Sequence, residues 1–402
     1  MIPQQKPGPY ELDAVIGFDC TDDDAKCVLL EIPDDPPSTL PNGNPSTFTG
    51  YADPCVRSEI FNNNDTKKLW MTYSWPFIHR VGLHAVTGIA THLASSSDGG
   101  HTWNFRKNLW EPEPMTFEGE EGFLDHEVSN ILPVKSAAGQ YWLGARLNYF
   151  LPNEGGVNER PAITIHIQLF KSKTIEGLST SQGLKLGSDY ADKEIEIDIN
   201  LNKLTGKKEP GFWTEPALYY DGQSAYLALR IATYKPGTQI PTLNKDEVYV
   251  FSFNPDVDIS EWELHNEGVL AGHAEAMELD GDALTQIEIT KSRSGQLLLL
   301  ATSMKYDPSL PAGIQQYIHE GIYVMEIESL SPPKLKRTVD DQLVIRAKLN
   351  ASDNDPSGPG ASGYDPNSES GIFMVKRDFS YSMKVEIRKT NVVISSIRLK
   401  ST

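Results

Sequence analysis

The chain has 402 residues, 39% hydrophobic and 23% charged, a balance that supports a large buried core and excludes disorder, collagen and membrane-spanning architectures. Lys and Arg number 36 against 55 Asp and Glu, a formal net charge of -19, so a nucleic acid would be repelled over most of the surface. The longest apolar run, around residues 297–301, falls far short of the roughly 20 residues of a membrane helix.

Residues 1–10 hold no apolar stretch of signal-peptide length. Net acidity suits work on a neutral polymer, and a secreted or periplasmic location is the expectation. Residues 14–18, AVIGF, read as a strand that helps to close a ring. Cys20, Cys27 and Cys55 are too few and too widely spaced for a zinc knuckle. A local disulfide between Cys20 and Cys27, closing an acidic loop, is one reading; three unpaired thiols is the other.

From residue 53 a two-part unit recurs. Its first part is a hairpin of strand, polar turn and strand, beginning at Asp53, His126, Thr214 and Leu284. Its second part is an alternating strand ending in a turn: GIATHLASSSDGGHTW, ITIHIQLFKSKTIEG, EVYVFSFNPDVDISEW and GIYVMEIES. Residues 107–125 and 306–319 read as long intervening loops. Strands GIFMVKRD, MKVEIR and VVISSI would build a last unit after a polar loop at 351–370. Asp353, Asp355 and Asp365 in that loop offer oxygen ligands of the kind structural calcium takes, at a spacing unlike an EF-hand.

Period-two patterning with hardly any 3.6-residue repeat predicts an all-β protein: one β-propeller over residues 1–402 with four-stranded antiparallel blades. The blades fall near 50–110, 125–175, 212–265, 283–330 and 341–402, about five, with a sixth if the N-terminal segment and the 176–204 strands count separately.

Residues 96–103 read SSDGGHTW and fit S-x-D-x-G-x-T-W at every specified position. This resembles the Asp box, or BNR repeat, of sialidase-like propellers. The resemblance implies a turn between the third and fourth strands of a blade, with Asp98 accepting turn amides, Gly100 at positive φ and Trp103 in the core. Such turns lie on the face away from propeller active sites, so Asp98 is not a candidate catalyst. SFNPDVDISEW, ending at Trp262, looks like a degenerate copy.

The inner strands begin with acids: Asp53, Asp125 and Glu127 around His126, Glu215 before Pro216, and Glu288 beside Gln286. Carboxylates converging on one axis cost free energy unless solvated or paired, and a pair of them is what cleaves a glycosidic bond. The order resembles the five-bladed glycoside hydrolases of the arabinanase and β-xylosidase type. That likeness implies Asp53 as base, Asp125 or Glu127 as the tuning carboxylate, and Glu215 as general acid. Ser74, Arg146, Arg230 and Ser303 share one position in the aligned hairpins, which points Arg146 and Arg230 toward one rim. There they would bind an acidic sugar or neutralise the carboxylates.

Sialidases supply a competing template. It implies a clamp from Arg57, Arg146, Arg230 and Arg293 and a nucleophile at Tyr317 or Tyr364. The chain lacks an F/Y-R-I-P stretch and has one intact Asp box, both departures from that family. His79 and His84 read as loop residues, and His126 as a neighbour of the central site. Two functions follow: a glycoside hydrolase using a carboxylate pair with Arg57, Arg146, Arg230 and Glu288 as substrate contacts, or a noncatalytic propeller binding a glycan or a protein.

Overall fold

The alternating apolar runs become β-strand. A computed structural model describes residues 27–29, 32–39, 43–44, 48–61, 67–81, 85–153, 163–188, 195–209, 211–236, 240–292, 294–309, 317–350, 360–368, 370–380 and 389–398. Short strands β1 (Cys27–Leu29) and β2 (Phe48–Gly50) precede blade one, made of β3 (Ala52–Ser58), β4 (Leu69–Val81), β5 (Ala85–Ser96) and β6 (Asn104–Trp110). Blade two is β8 (Glu120–Ser136), β9 (Gly139–Pro152), β10 (Ile163–Ser172) and β11 (Leu184–Gly187), flanked by β7 (Glu113–Phe117) and β12 (Ile199–Asn200). Blade three is β13 (Gly211–Tyr220), β14 (Ala225–Thr233), β15 (Glu247–Phe253) and β16 (His265–Gly272). Blade four is β17 (Ala283–Lys291), β18 (Leu297–Tyr306), β19 (Tyr317–Leu330) and β20 (Pro333–Leu335), with β21 (Ile345–Asn350) also on β19.

The blade count is therefore four, not five or six. The C-terminal strands do not repeat the unit: β21 joins blade four, and residues 383–388 lie outside the described residues. Strands β22 (Gly360–Gly363), β23 (Ser370–Ser380) and β24 (Lys389–Arg398) instead form a mixed sheet with β1 and, in parallel, β2. Both chain ends thus share that sheet. The 176–204 strands edge blade two, and the expected strand at 14–18 lies outside the described residues.

β22, expected to be loop, packs between β3 and β17 and closes the ring. Its glycines allow the approach, since a Cβ on Gly360 would stand 2.4 Å from Gln286 Oε1 and one on Gly363 2.7 Å from the Pro54 carbonyl. The supposed loop at 107–125 is also mostly strand. Glu118 (φ 51°) and Gly119 (φ 80°) form the two-residue turn from β7 into β8, with positive φ at both positions as a primed hairpin turn requires.

Apolar side chains from facing blades interdigitate to make the core. Leu143, Ala145 and Leu147 of blade two meet Leu227, Leu229 and Phe251 of blade three, and Ala228 and Val250 of blade three meet Leu299 and Met325 of blade four. No helix among the described residues is long and apolar enough to cross a membrane.

Between β5 and β6, the Asp98 carboxylate accepts from the N–H groups of His101 (3.1 Å) and Thr102 (3.0 Å) and from the hydroxyls of Thr102 (2.6 Å) and Ser96 (2.7 Å). Against a burial penalty, these hydrogen bonds, led by the Thr102 hydroxyl, hold Asp98 down at about 2. Gly100 sits at φ 93°, and Trp103 is fully buried with its indole N–H on the Gly100 carbonyl at 3.1 Å. Trp103→Ala should destabilise the protein by about 3–5 kcal/mol through the cavity it leaves. Urea unfolding measures this, and a loss below about 1 kcal/mol would show that the turn collapses around the gap.

Candidate functional site

Each of the four inner strands carries a β-bulge at the same place. The register slips between Ala52 and Cys55, Glu127 and Asn130, Thr214 and Ala217, and Thr285 and Glu288. The extra residue throws one non-glycine residue per blade into the left-handed region: Asp53 (φ 48°), Val128 (47°), Glu215 (56°) and Gln286 (49°). Each such residue costs on the order of 1–3 kcal/mol in backbone strain. These four ring a small central cavity of about 20 Å³, room for one water. Asp53 and Glu215 therefore occupy equivalent positions in blades one and three.

The cavity floor is a buried polar hub. Arg57 of blade one pairs with Glu288 of blade four, and Glu288 also accepts from Asn130 Nδ2 of blade two at 2.6 Å. Arg57 donates further to the Leu218 carbonyl of blade three (3.3 Å), while Asn130 Oδ1 accepts the Leu218 N–H (3.1 Å). Burial pushes Glu288 up, and the adjoining Arg57 charge pulls against it. Arg57 and Glu288 are thus committed to each other beneath the cavity, where they join the blades.

One wall is a chain of donors ending at Glu215. Arg230 pairs with Asp246 at 2.7 Å and donates to Thr285 Oγ1 at 3.1 Å, and the Thr285 hydroxyl donates to Glu215 Oε1 at 3.0 Å. Asp246 is fixed in turn by the Thr233 N–H (2.8 Å) and hydroxyl (2.9 Å). Glu215 is buried and its Oε2 has no hydrogen-bond partner among the described residues. Burial, then the charge of Asp53, push this carboxyl up to about 7 against the pull of Arg230.

On the blade-two side, Asp125 is buried and accepts the Ile89 N–H at 2.7 Å, while Glu127 is half-buried. Tyr149 joins the two and Asp53: burial raises its phenol well above the ordinary value, and the Glu127, Asp125 and Asp53 charges add to that, with a hydrogen bond to Asp125. Asp53 and Glu215 line the central cavity, whereas Asp125 and Glu127 do not line it and are linked to Asp53 only through their charges on Tyr149. Thr285, Asn130 and Asp246 were not foreseen, nor was Tyr149 as a partner of these carboxylates. Tyr149 had a signal, since it pairs with Asp125 across the hairpin.

Other candidates are placed elsewhere. Arg146 does not share the position of Arg230: counted from the bulge common to all four blades, Leu147 stands where Arg230 does, and Thr302 rather than Ser303 takes that place in blade four. Arg146 turns instead toward Gln168 and away from the central cavity. His126 turns with it, 2.7 Å from Asn148 Oδ1. Asp365 is buried and holds the Ser58 N–H at 2.8 Å, a clasp between the terminal sheet and blade one. Among the described residues no His, Cys, Asp and Glu group has a metal-holding arrangement. Cys55 is a free buried thiol, whereas Cys20, His84, Arg293, Asp353 and Asp355 lie outside the described residues.

No protein-family model matches the chain, and no curated protein matches it in sequence. Solved structures do match. A family 117 glycoside hydrolase of the marine bacterium Zobellia galactanivorans is 10% identical with a TM-score of 0.48, over 93% of this chain and 89% of that one. A protein of unknown function from Dyadobacter fermentans is 12% identical (TM-score 0.45, 94% and 98% covered). An α-L-arabinanase of Penicillium chrysogenum is 10% identical (TM-score 0.42, 89% and 97% covered). The propeller assignment rests on the sheets described above.

Two outcomes follow for stability. Arg57→Met strands the Glu288 carboxylate and should cost about 3–5 kcal/mol, most of it recovered when Glu288→Gln is added; denaturant unfolding of both variants measures the difference. Glu215 has its folded value raised from 4.5 to about 7, so the native state holds the proton more tightly. Its contribution is full below pH 4.5 and is lost as pH rises through about 7, a change of about 3 kcal/mol. Glu215→Gln should flatten that fall, and an unchanged pH profile in the variant would refute the assignment.

Proposed function

We propose that the protein is a glycoside hydrolase with Glu215 as general acid and Asp53 as its ionised partner at the central opening. One observation carries this reading: burial and the neighbouring Asp53 charge push Glu215 up to about 7, with one oxygen unclaimed among the described residues. Such a pair keeps one carboxyl protonated to protonate a leaving oxygen while the other stays available as base or nucleophile. Arg230 is bound to Asp246, so Glu215 is not locked in an ion pair that would keep it charged. Asp125, fixed by the Ile89 amide and Tyr149, takes the tuning role, with the half-buried Glu127 beside it.

We also read the 96–103 turn as an Asp box, supported by the bonds to Asp98 and the buried Trp103. Its role is to fix blade one, and we assign it no chemistry. A second reading is noncatalytic binding of a glycan on the same face, because a central cavity of about 20 Å³ admits a water and not a sugar ring and so weighs against chemistry within it. Hydrolysis therefore requires the sugar to sit above the bulge ring, with only the scissile oxygen reaching Glu215.

Turnover of chromogenic arabinosides, xylosides, galactosides and sialosides separates the two. One substrate should be hydrolysed, with kcat falling about 10²–10⁴-fold in Glu215→Gln and the wild-type rate declining above about pH 7 as the acid ionises. Binding of the same sugars without turnover, or equal rates in variant and wild type, would overturn the catalytic assignment.

A further inference from the structure

Blade two carries a cavity of about 720 Å³ that shares no lining residue with the central one. That volume lies in the range of small-molecule sites. In its wall stands Arg146, 6% exposed, with its guanidinium 5.3 Å from the Trp110 ring centre and 5.0 Å from that of Phe170. The two rings stack on each other at 5.1 Å. Among the described residues the guanidinium makes a single side-chain bond, from Nη2 to Gln168 Oε1 at 3.0 Å, and its Nε has no partner.

Every other buried arginine discussed above has a carboxylate. Arg57 has Glu288 and Arg230 has Asp246, whereas no carboxylate among the described residues pairs with Arg146. Three carboxylates also line the cavity: Asp198 accepts the Lys185 N–H at 2.7 Å, the Glu113 side chain is 66% exposed and 3.9 Å from His126 Nε2, and Glu196 is exposed. Burial accordingly pulls the Arg146 guanidinium down to about 9, with Glu113 opposing from a distance. A buried cation without a counter-charge is costly, and a planar fork of donors matches a carboxylate.

Adjacent features fit one ligand class. Gln168 stands opposite Arg146 on β10 and Lys185 opposite Gln168 on β11, so a second cation lies on the same row. Met115, Leu124 and Ile195 give the cavity an apolar side. His166, buried with Nδ1 unpartnered, lines it as well. We propose that this cavity is a second ligand site, which takes the carboxylate of a small ring-bearing organic acid on Arg146. The acid is either an acidic sugar or an aromatic acid, since both present the same anion on a flat or ring-shaped body.

Calorimetry on the full chain with sodium glucuronate and sodium benzoate tests this, with glucose as neutral control and inorganic phosphate as competing anion. At least one acid should bind, glucose should not, and Arg146→Met should weaken binding by about tenfold or more, the loss expected for a charged hydrogen-bonded pair. Which acid binds identifies the source. Arg146→Lys, which keeps charge without the fork, should fall between, and Glu215→Gln should bind as wild type does. If Arg146→Met does not fold, Lys185→Met carries the test, with several-fold weaker binding expected. Failure of both acids to bind, equal binding by the Arg146 or Lys185 variant, or tighter binding of phosphate than of either acid would overturn the proposal. These outcomes do not depend on whether the central opening hydrolyses a glycoside.

Discussion

The Arg57–Glu288–Asn130 hub is the constraint on which the rest of the molecule depends. A propeller blade packs only against its neighbours, so nothing in apolar packing alone fixes all blades to one axis. Here a single guanidinium from blade one reaches a carboxylate of blade four and a carbonyl of blade three. An amide from blade two completes the set by bonding both Glu288 and Leu218. A buried ion pair gains little net stability because desolvation offsets its attraction. Its value lies in specificity, since a blade displaced by one residue would leave a charge buried and unpaired.

The hub also holds the strained ring above it. Asn130 and Glu288 each follow their bulge residue by two positions, so the bonds that fix the hub fix the bulges. Val128 makes the point about strain, because a β-branched residue strongly disfavours the left-handed region yet occupies it here. The repeat imposes the conformation and the residue accepts it. Side chains at this position can then differ between blades without altering the backbone: a carboxylate in blades one and three, a valine in blade two and an amide in blade four. Chemistry is placed by substitution on a scaffold that is already rigid.

Much of this was legible in the sequence because it is periodic. The hairpins from Asp53, His126, Thr214 and Leu284 are the inner strand pairs of the four blades, and of the acids at their starts Asp53, Glu215 and Glu288 line the central cavity. What escaped has a common physical origin in single-residue register. Counted from the bulge common to all blades, Arg146 falls one residue short of the position of Arg230, which no alignment of apolar runs detects. Glu288 looked like a rim carboxylate but lies two residues past the bulge, pointing inward to Arg57. The last blade was misjudged because alternation identifies a strand without naming its partner: β21 pairs with blade four, and β24 with the N-terminal strands.

The placement of buried cations follows a single logic in a chain with a net charge of -19. Arg57 neutralises Glu288, and Arg230 neutralises Asp246 while reaching Glu215 only through the Thr285 hydroxyl. That intermediate hydroxyl matters. A direct ion pair would lower Glu215 toward the ordinary carboxylate range, whereas the hydroxyl and the more distant Arg230 charge pull down less than burial and Asp53 push up. Arg146 presents the opposite imbalance, a buried positive charge resting on two aromatic rings and one neutral amide. Among the described residues, Glu215 thus keeps its proton toward neutrality and Arg146 has no carboxylate paired with it. Both departures from internal neutralisation border cavities, where a ligand rather than the protein can complete the electrostatics.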